Sequence, residues 1–241
     1  MITITTYPTY KHASKADFTG LTTVVVDLFR ATSTITAALN HGCLDIIPVE
    51  KIGDGFAVRN AMQDKTRCIL GGERGGVKLD GYDLGNSPLE YSGEVVADKH
   101  VVLCTTNGTQ AIAKAFHSTV MYMGCLNNAQ AVAKAALAAG EKIAILCSGS
   151  ENRFSSDDVV TAGALIDRML NLGAEPELDD LSSTALYLYR ANKSCLKKFL
   201  TVTRPYQILT SIGAQDDIDY CIREDILDTV PVYRKGRIIN L

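Results

Sequence analysis

The stretch TTVVVDLFRATSTITAALNHG, residues 22–42, decides how the chain is read. Its first part, TTVVVDLF (22–29), is a β-branched apolar run of strand length. Its second part, ATSTITAALNHG (31–42), has helical character and meets a glycine only at its end. A continuously apolar strand is one buried on both faces. A helix directly behind it begins a parallel crossover.

The same plan recurs along the chain. DIIPV (45–49) reads as a strand and IGDGFAVRNAMQD (52–64) as its helix, and RCILGG (67–72) is a third strand. KHVVLCTT (99–106) precedes a helical NGTQAIAKAFH (107–117), and TVMYMG (119–124) precedes LNNAQAVAKAALAAG (126–140). KIAILCSG (142–149) precedes SSDDVVTAGALIDRML (155–170). Strands alternating with helices predict an α/β fold: three layers, α/β/α, around a largely parallel, mixed sheet. The C-terminal third reads as helices over 182–200, 204–213 and 216–224. It ends in VPVYRKGRIINL, where RKGR is the turn of a closing hairpin. No low-complexity linker interrupts the chain, so residues 1–241 are taken as a single domain, with any subdivision falling near 170–180.

A formal net charge of -3 provides no basic stripe for nucleic acid. No apolar run reaches the length of a membrane span. MITITTYPTYKHASK lacks the basic start and apolar stretch of a secretory signal. Seven widely spaced cysteines with no C-x-x-C pair fit a reduced, cytoplasmic protein better than a disulfide scaffold or a zinc ribbon. The sequence leaves the oligomeric state open, a homo-oligomer included.

Ligands of open α/β sheets bind beyond the carboxyl ends of the strands. Three of these ends carry polar clusters. Asp27 closes a strand, and Arg30, Thr32, Ser33 and Thr34 open the helix after it, where a guanidinium, hydroxyls and free N–H groups suit a phosphate or sulfonate. Thr105, Thr106, Asn107, Gly108 and Thr109 repeat that placement, and Ser148 and Gly149 do so again. Asp157 and Asp158 fall in the next first helical turn, where carboxylates also favour the dipole of any helix. The Gly-rich segment 73–98 has little periodicity and supplies Glu73, Arg74, Asn86 and Ser87.

Cys68 and Arg74 stand at C-x-x-G-x-x-R spacing, as in a cysteine phosphatase loop. Cys68 falls inside the apolar run RCIL, however, and the Gly-rich segment after Arg74 cannot start the helix such a loop needs.

VVVDLFRATSTITAAL, GGERGG, GYDLGNSPLEY, TTNGTQAI, CLNNAQAVA and ILCSG…FSSDDVVTAG, in this order, resemble the 2-phosphosulfolactate phosphatase family over about residues 22–165. The resemblance implies a Mg2+-dependent phosphatase that hydrolyses 2-phospho-3-sulfolactate to 3-sulfolactate and phosphate, a step of coenzyme M biosynthesis. Within the matching motifs, Asp27 and Glu73 are expected to bind the metal, with Asp157 or Asp158. Arg30 and Arg74 are expected to hold the small anionic substrate. The Thr32–Thr34, Asn86–Ser87, Thr105–Thr109 and Ser148–Gly149 groups would line its seat. Three alternatives stand beside this reading: another small phosphorylated hydroxy acid as substrate, a Cys68/Arg74 thiol phosphatase, and a non-catalytic anion-binding protein.

Overall fold

The computed structural model describes all of residues 1–241. Eleven strands join in one mixed, mostly parallel sheet. In chain order the first half runs β1 (Thr3–Tyr7), β2 (Thr22–Val26), α1 (Ala31–Asn40), β3 (Asp45–Pro48), α2 (Ile52–Ala61), β4 (Cys68–Arg74), β5 (Val77–Lys78), α3 (Gly93–Val96), β6 (His100–Cys104) and α4 (Gly108–Lys114). The second half runs β7 (Val120–Gly124), α5 (Ala129–Ala139), β8 (Lys142–Cys147), α6 (Ser156–Asn171), β9 (Glu177–Leu178), α7 (Asp180–Asn192), α8 (Leu196–Leu200), α9 (Arg204–Ser211), α10 (Gln215–Cys221), β10 (Pro231–Arg234) and β11 (Arg237–Asn240).

Strand order across the sheet is β5-β4-β6-β3-β11-β10-β7-β2-β8-β1-β9. The closing hairpin expected from RKGR forms, and Lys235 and Gly236 at its turn both have positive φ, as a two-residue hairpin turn requires. It does not close an edge. It lies mid-sheet, antiparallel to β7 through Val232↔Tyr122 and to β3 through Ile238↔Ile46. It thereby joins two parallel halves, β4-β6-β3 and β7-β2-β8-β1-β9.

Alternation along the strands explains their unbroken apolar sequence. Val25 and Leu146 enter one core with Ile35, Ala38 and Leu39 of α1 and Ala111 and Ile112 of α4. Val24, Val26, Ile143 and Ile145 enter the opposite core with α5, α6 and α7. The sheet is therefore covered on both faces, as three layers require. Strand β1 was not anticipated, because TITTY holds a single aliphatic residue and lacks the apolar run that marks strands such as β2 and β8. The expected helix over 182–200 breaks at residues 193–195, where the Asn192 side chain donates to Leu188 O and ends α7. No helix is long and apolar enough to cross a membrane.

Helices α6 and α7 approach closely at Gly163. A Cβ added there would lie 2.0 Å from the Ala185 carbonyl oxygen. Gly163→Ala should therefore destabilise the protein by ~1–3 kcal/mol through forced separation of the two helices, read from urea midpoints. A neutral or stabilising effect would contradict that packing.

Candidate active site

Residues Val26 and Cys147, at the carboxyl ends of β2 and β8, are paired. In the other half of the sheet Gly72 of β4 is paired with Cys104 of β6. The loops that follow converge. A Cβ added to Gly108 would lie 2.8 Å from Asp27 Oδ2 and 2.4 Å from the Ala31 Cβ, so only glycine lets the two loops touch. A cavity of about 140 Å³ opens between them.

Five carboxylates line it, those of Asp27, Glu73, Glu151, Asp157 and Asp158, against one guanidinium, that of Arg30. Asp27 Oδ1 accepts from the Ala31 N–H at 3.2 Å, and Oδ2 has no protein donor. Glu73 accepts from the Thr106 N–H at 2.8 Å with one oxygen and from the Gly76 N–H at 2.9 Å with the other. Asp158 accepts from the N–H groups of Leu28 at 3.0 Å and Gly149 at 2.8 Å. Asp157 accepts from the Ser155 hydroxyl. Glu73 and Asp158 thus tie loops together as well as facing the cavity.

Burial pushes Asp27 up to about 7; the Ala31 N–H opposes the shift, and the neighbouring Glu73 and Asp157 charges add to it. Burial pushes Asp157 up to about 6. Asp158 is raised by burial and then by the charges of Asp157 and Asp27. The protein supplies too little positive charge for its own acids.

Arg30 is 5% exposed and is gripped from behind. Its Nη1 donates to Asp217 of α10 at 2.5 Å and its Nη2 to Gly76 O at 2.7 Å. Asn86 also lines the cavity, and its Oδ1 is buried with no partner. From α9, Pro205, Ile208 and Leu209 complete one wall, so the C-terminal helices help to enclose the site.

The family model described as 2-phosphosulpholactate phosphatase matches residues 7–236. The chain belongs to the 2-phosphosulfolactate phosphatase family. A probable 2-phosphosulfolactate phosphatase of Clostridium novyi (strain NT) is 41% identical over 217 residues, 90% of this chain and 91% of the relative. One of Clostridium botulinum (strain Alaska E43 / Type E3) is 40% identical over 218 residues, with the same shares. One of Caldanaerobacter subterraneus subsp. tengcongensis is 36% identical over 231 residues, 96% of this chain and 95% of the relative. The chain is accordingly an enzyme, a phosphoric monoester hydrolase of this family's type.

Within this family member, several expected site residues lie elsewhere. Arg74 turns away from the cavity; its guanidinium donates to Glu73 O at 2.7 Å, and to Cys104 Sγ at 3.3 Å. The hydroxyls of Thr32, Ser33 and Thr34 donate to the carbonyls of Asp27, Leu28 and Asn86, because nearby backbone acceptors satisfy buried hydroxyls first. Thr105 and Thr109 cap each other: Thr109 N–H donates to Thr105 Oγ1, and Thr109 Oγ1 to Thr105 O. Ser87 Oγ bonds Asp217, and Ser148 Oγ is buried without a partner. Thr106, Asn107 and Gly149 do line the cavity, and Gly108 backs Asp27. Cys68 is buried in β4 among Leu70, Val49 and Tyr82, where burial raises its thiol. It does not line the cavity. No thiolate nucleophile is available at the site.

The helices over 204–213 and 216–224 were expected, but the place of Glu151, α9 and Asp217 in or behind the cavity escaped the sequence reading. For Asp217 there was one signal: it directly precedes Ile218 in QDDIDYC and sits one helical turn from Cys221, on a buried face.

A carboxylate whose folded pKa lies above its unfolded value binds more protons in the folded state, so folding stability falls as pH rises between the two values. With EDTA present, urea midpoints should fall as pH climbs from about 4 toward about 7, the window between the ordinary carboxylate value of 3.8 and that of Asp27. Asp27→Asn should flatten this slope. A rising midpoint across that window would show the acids to be compensated within the protein.

Proposed function

We propose that this phosphatase hydrolyses 2-phospho-3-sulfolactate to 3-sulfolactate and phosphate, with Mg2+ at the carboxylate cluster. The observation that carries the reading is the convergence on one cavity of Asp27 and Arg30, from the loop between β2 and α1, with Asp157 from the first turn of α6. The names of the relatives support the substrate. The raised carboxylates support the cation, because the acids share a site whose only guanidinium is already engaged by Asp217.

The fit to Mg2+ rests on the donors available. No three acids are drawn together as a ready ligand set. Mg2+ commonly takes one or two carboxylates and fills its remaining positions with waters and phosphate oxygens. Asp27, with a free Oδ2, and Asp157 would hold it, while Glu73 and Asp158 keep the loops that carry them in place. When bound, the ion would neutralise phosphoryl oxygens and polarise the ester.

The remaining work falls to this chain. Arg30 keeps three of its five N–H donors free after its two protein contacts, and these would hold the phosphoryl group. Asn86 Oδ1 would accept a proton-bearing group of the substrate or of a bound water. Apolar side chains from α9 would limit access of bulk water. The P–O ester bond breaks as oxygen attacks phosphorus, and the leaving alkoxide takes a proton to become the hydroxyl of sulfolactate. The attacking oxygen belongs either to water, whose proton passes to the leaving group, or to Asp27. Asp27 would form an aspartyl-phosphate that water then cleaves to phosphate, the water supplying the net proton. Labelled phosphate trapped on Asp27 would assign the second route; burst-free turnover with no adduct would assign the first.

Asp27→Asn should lower kcat by at least about a hundredfold with the fold intact. Full turnover in that variant would remove Asp27 from the chemistry. Cys68→Ser should keep most activity, and its loss would restore the thiol route. EDTA should abolish turnover and added Mg2+ restore it; activity that persists in EDTA would refute the metal assignment. Among phosphorylated hydroxy acids assayed with and without a sulfonate, kcat/KM should be highest for 2-phospho-3-sulfolactate. A higher value for a sulfonate-free acid would move the substrate assignment to that acid.

A further inference from the structure

We infer that Asp217 is a positioning residue, which holds Arg30 in the anion-gripping pose and keeps it from pairing with the acids inside the cavity. The inference rests on the reading of Arg30 as the phosphate-binding group.

Asp217 lies in the first turn of α10 and is 4% exposed. It does not line the cavity. Its Oδ2 accepts from Arg30 Nη1 at 2.5 Å and its Oδ1 from Ser87 Oγ at 2.5 Å. Both partners of the ion pair are 5% exposed at the side chain, so water does not screen them. Arg30 Nη2 meanwhile donates to Gly76 O at 2.7 Å. Three segments therefore meet on one guanidinium: the start of α1, the loop after β4, and the C-terminal helices.

The competition inside the cavity makes this grip matter. Five carboxylates line it, and Arg30 is near enough to Asp27 to lower its affinity for a proton. A guanidinium held only from the front would swing onto those acids, occupying both the cation position and the anion position at once. A buried carboxylate behind it, itself fixed by Ser87, draws the guanidinium back. The donors left free then face the cavity in a set direction, as bidentate recognition of an oxyanion demands. Asn at position 217 would still accept a hydrogen bond but would lose the charge that competes with the cavity acids.

The test is a double-mutant cycle on the full chain with Mg2+ and 2-phospho-3-sulfolactate, using Arg30→Ala and Asp217→Asn singly and together. Asp217→Asn should raise KM, and the inhibition constant of inorganic phosphate, by about tenfold with a smaller change in kcat, and should add less than about a twofold change once Arg30 is Ala. Ser87→Ala, which frees the other oxygen of Asp217, should shift KM in the same direction by less. Asp216→Asn, on the exposed neighbouring residue, should match the parent enzyme. Equal losses in both backgrounds, or an unchanged KM in Asp217→Asn, would overturn the inference while leaving the role of Arg30 intact. Unchanged turnover in Arg30→Ala would remove both.

Discussion

Negative charge concentrated at one point is the constraint around which this molecule is arranged. Three stretches of chain, after β2, at the end of β4 and after β8, bring acids to the carboxyl ends of a parallel sheet, and Asp27, Glu73, Asp157 and Asp158 are buried. Such groups cannot be left unsatisfied. The chain answers with backbone N–H groups on Glu73 and Asp158, a helix-opening N–H on Asp27, a hydroxyl on Asp157, and one guanidinium in the cavity. Those donors fix the geometry of the loops but do not balance the charge. Under the proposed function, a cation and a polyanion would enter this cavity together, each making the other's binding favourable.

The C-terminal third serves two separate ends of this design. Its hairpin joins the two parallel halves of the sheet, so that the β2 and β6 loops face a common space. Its helices cover that space from outside, with Ile208 and Leu209 as wall and Asp217 as anchor. Neither half of the sheet alone carries a complete site: Asp27, Asp157 and Asp158 come from one, Glu73 and Thr106 from the other.

The three-layer α/β architecture was legible because both-face burial leaves an unmistakable mark in runs such as TTVVV and IAILC. The placement of Asp27 and Glu73 at the cavity was legible because polar residues at the end of such runs have no packing reason to be there. Side-chain direction was not legible. Arg74 lies next to Glu73, but successive residues of a strand point to opposite faces, and Arg74 follows the face of Cys104. The Thr32–Thr34 hydroxyls misled for a different reason. A fully buried first helical turn spends its hydroxyls on backbone carbonyls, and burial of that turn is a tertiary fact. Nor could the turn RKGR reveal that its strands insert mid-sheet, since hairpin chemistry is the same at an edge and at the centre.

The mid-sheet hairpin also bears on how the chain is made. Residues 231–240 stand between β3 and β7, which are synthesised far earlier. Until that segment has left the ribosome, the inner margins of both half-sheets are open, with unpaired backbone groups and apolar side chains on display. Completion of the sheet is therefore deferred until residues 231–240 are available, and until then those margins are the surfaces through which neighbouring molecules would associate.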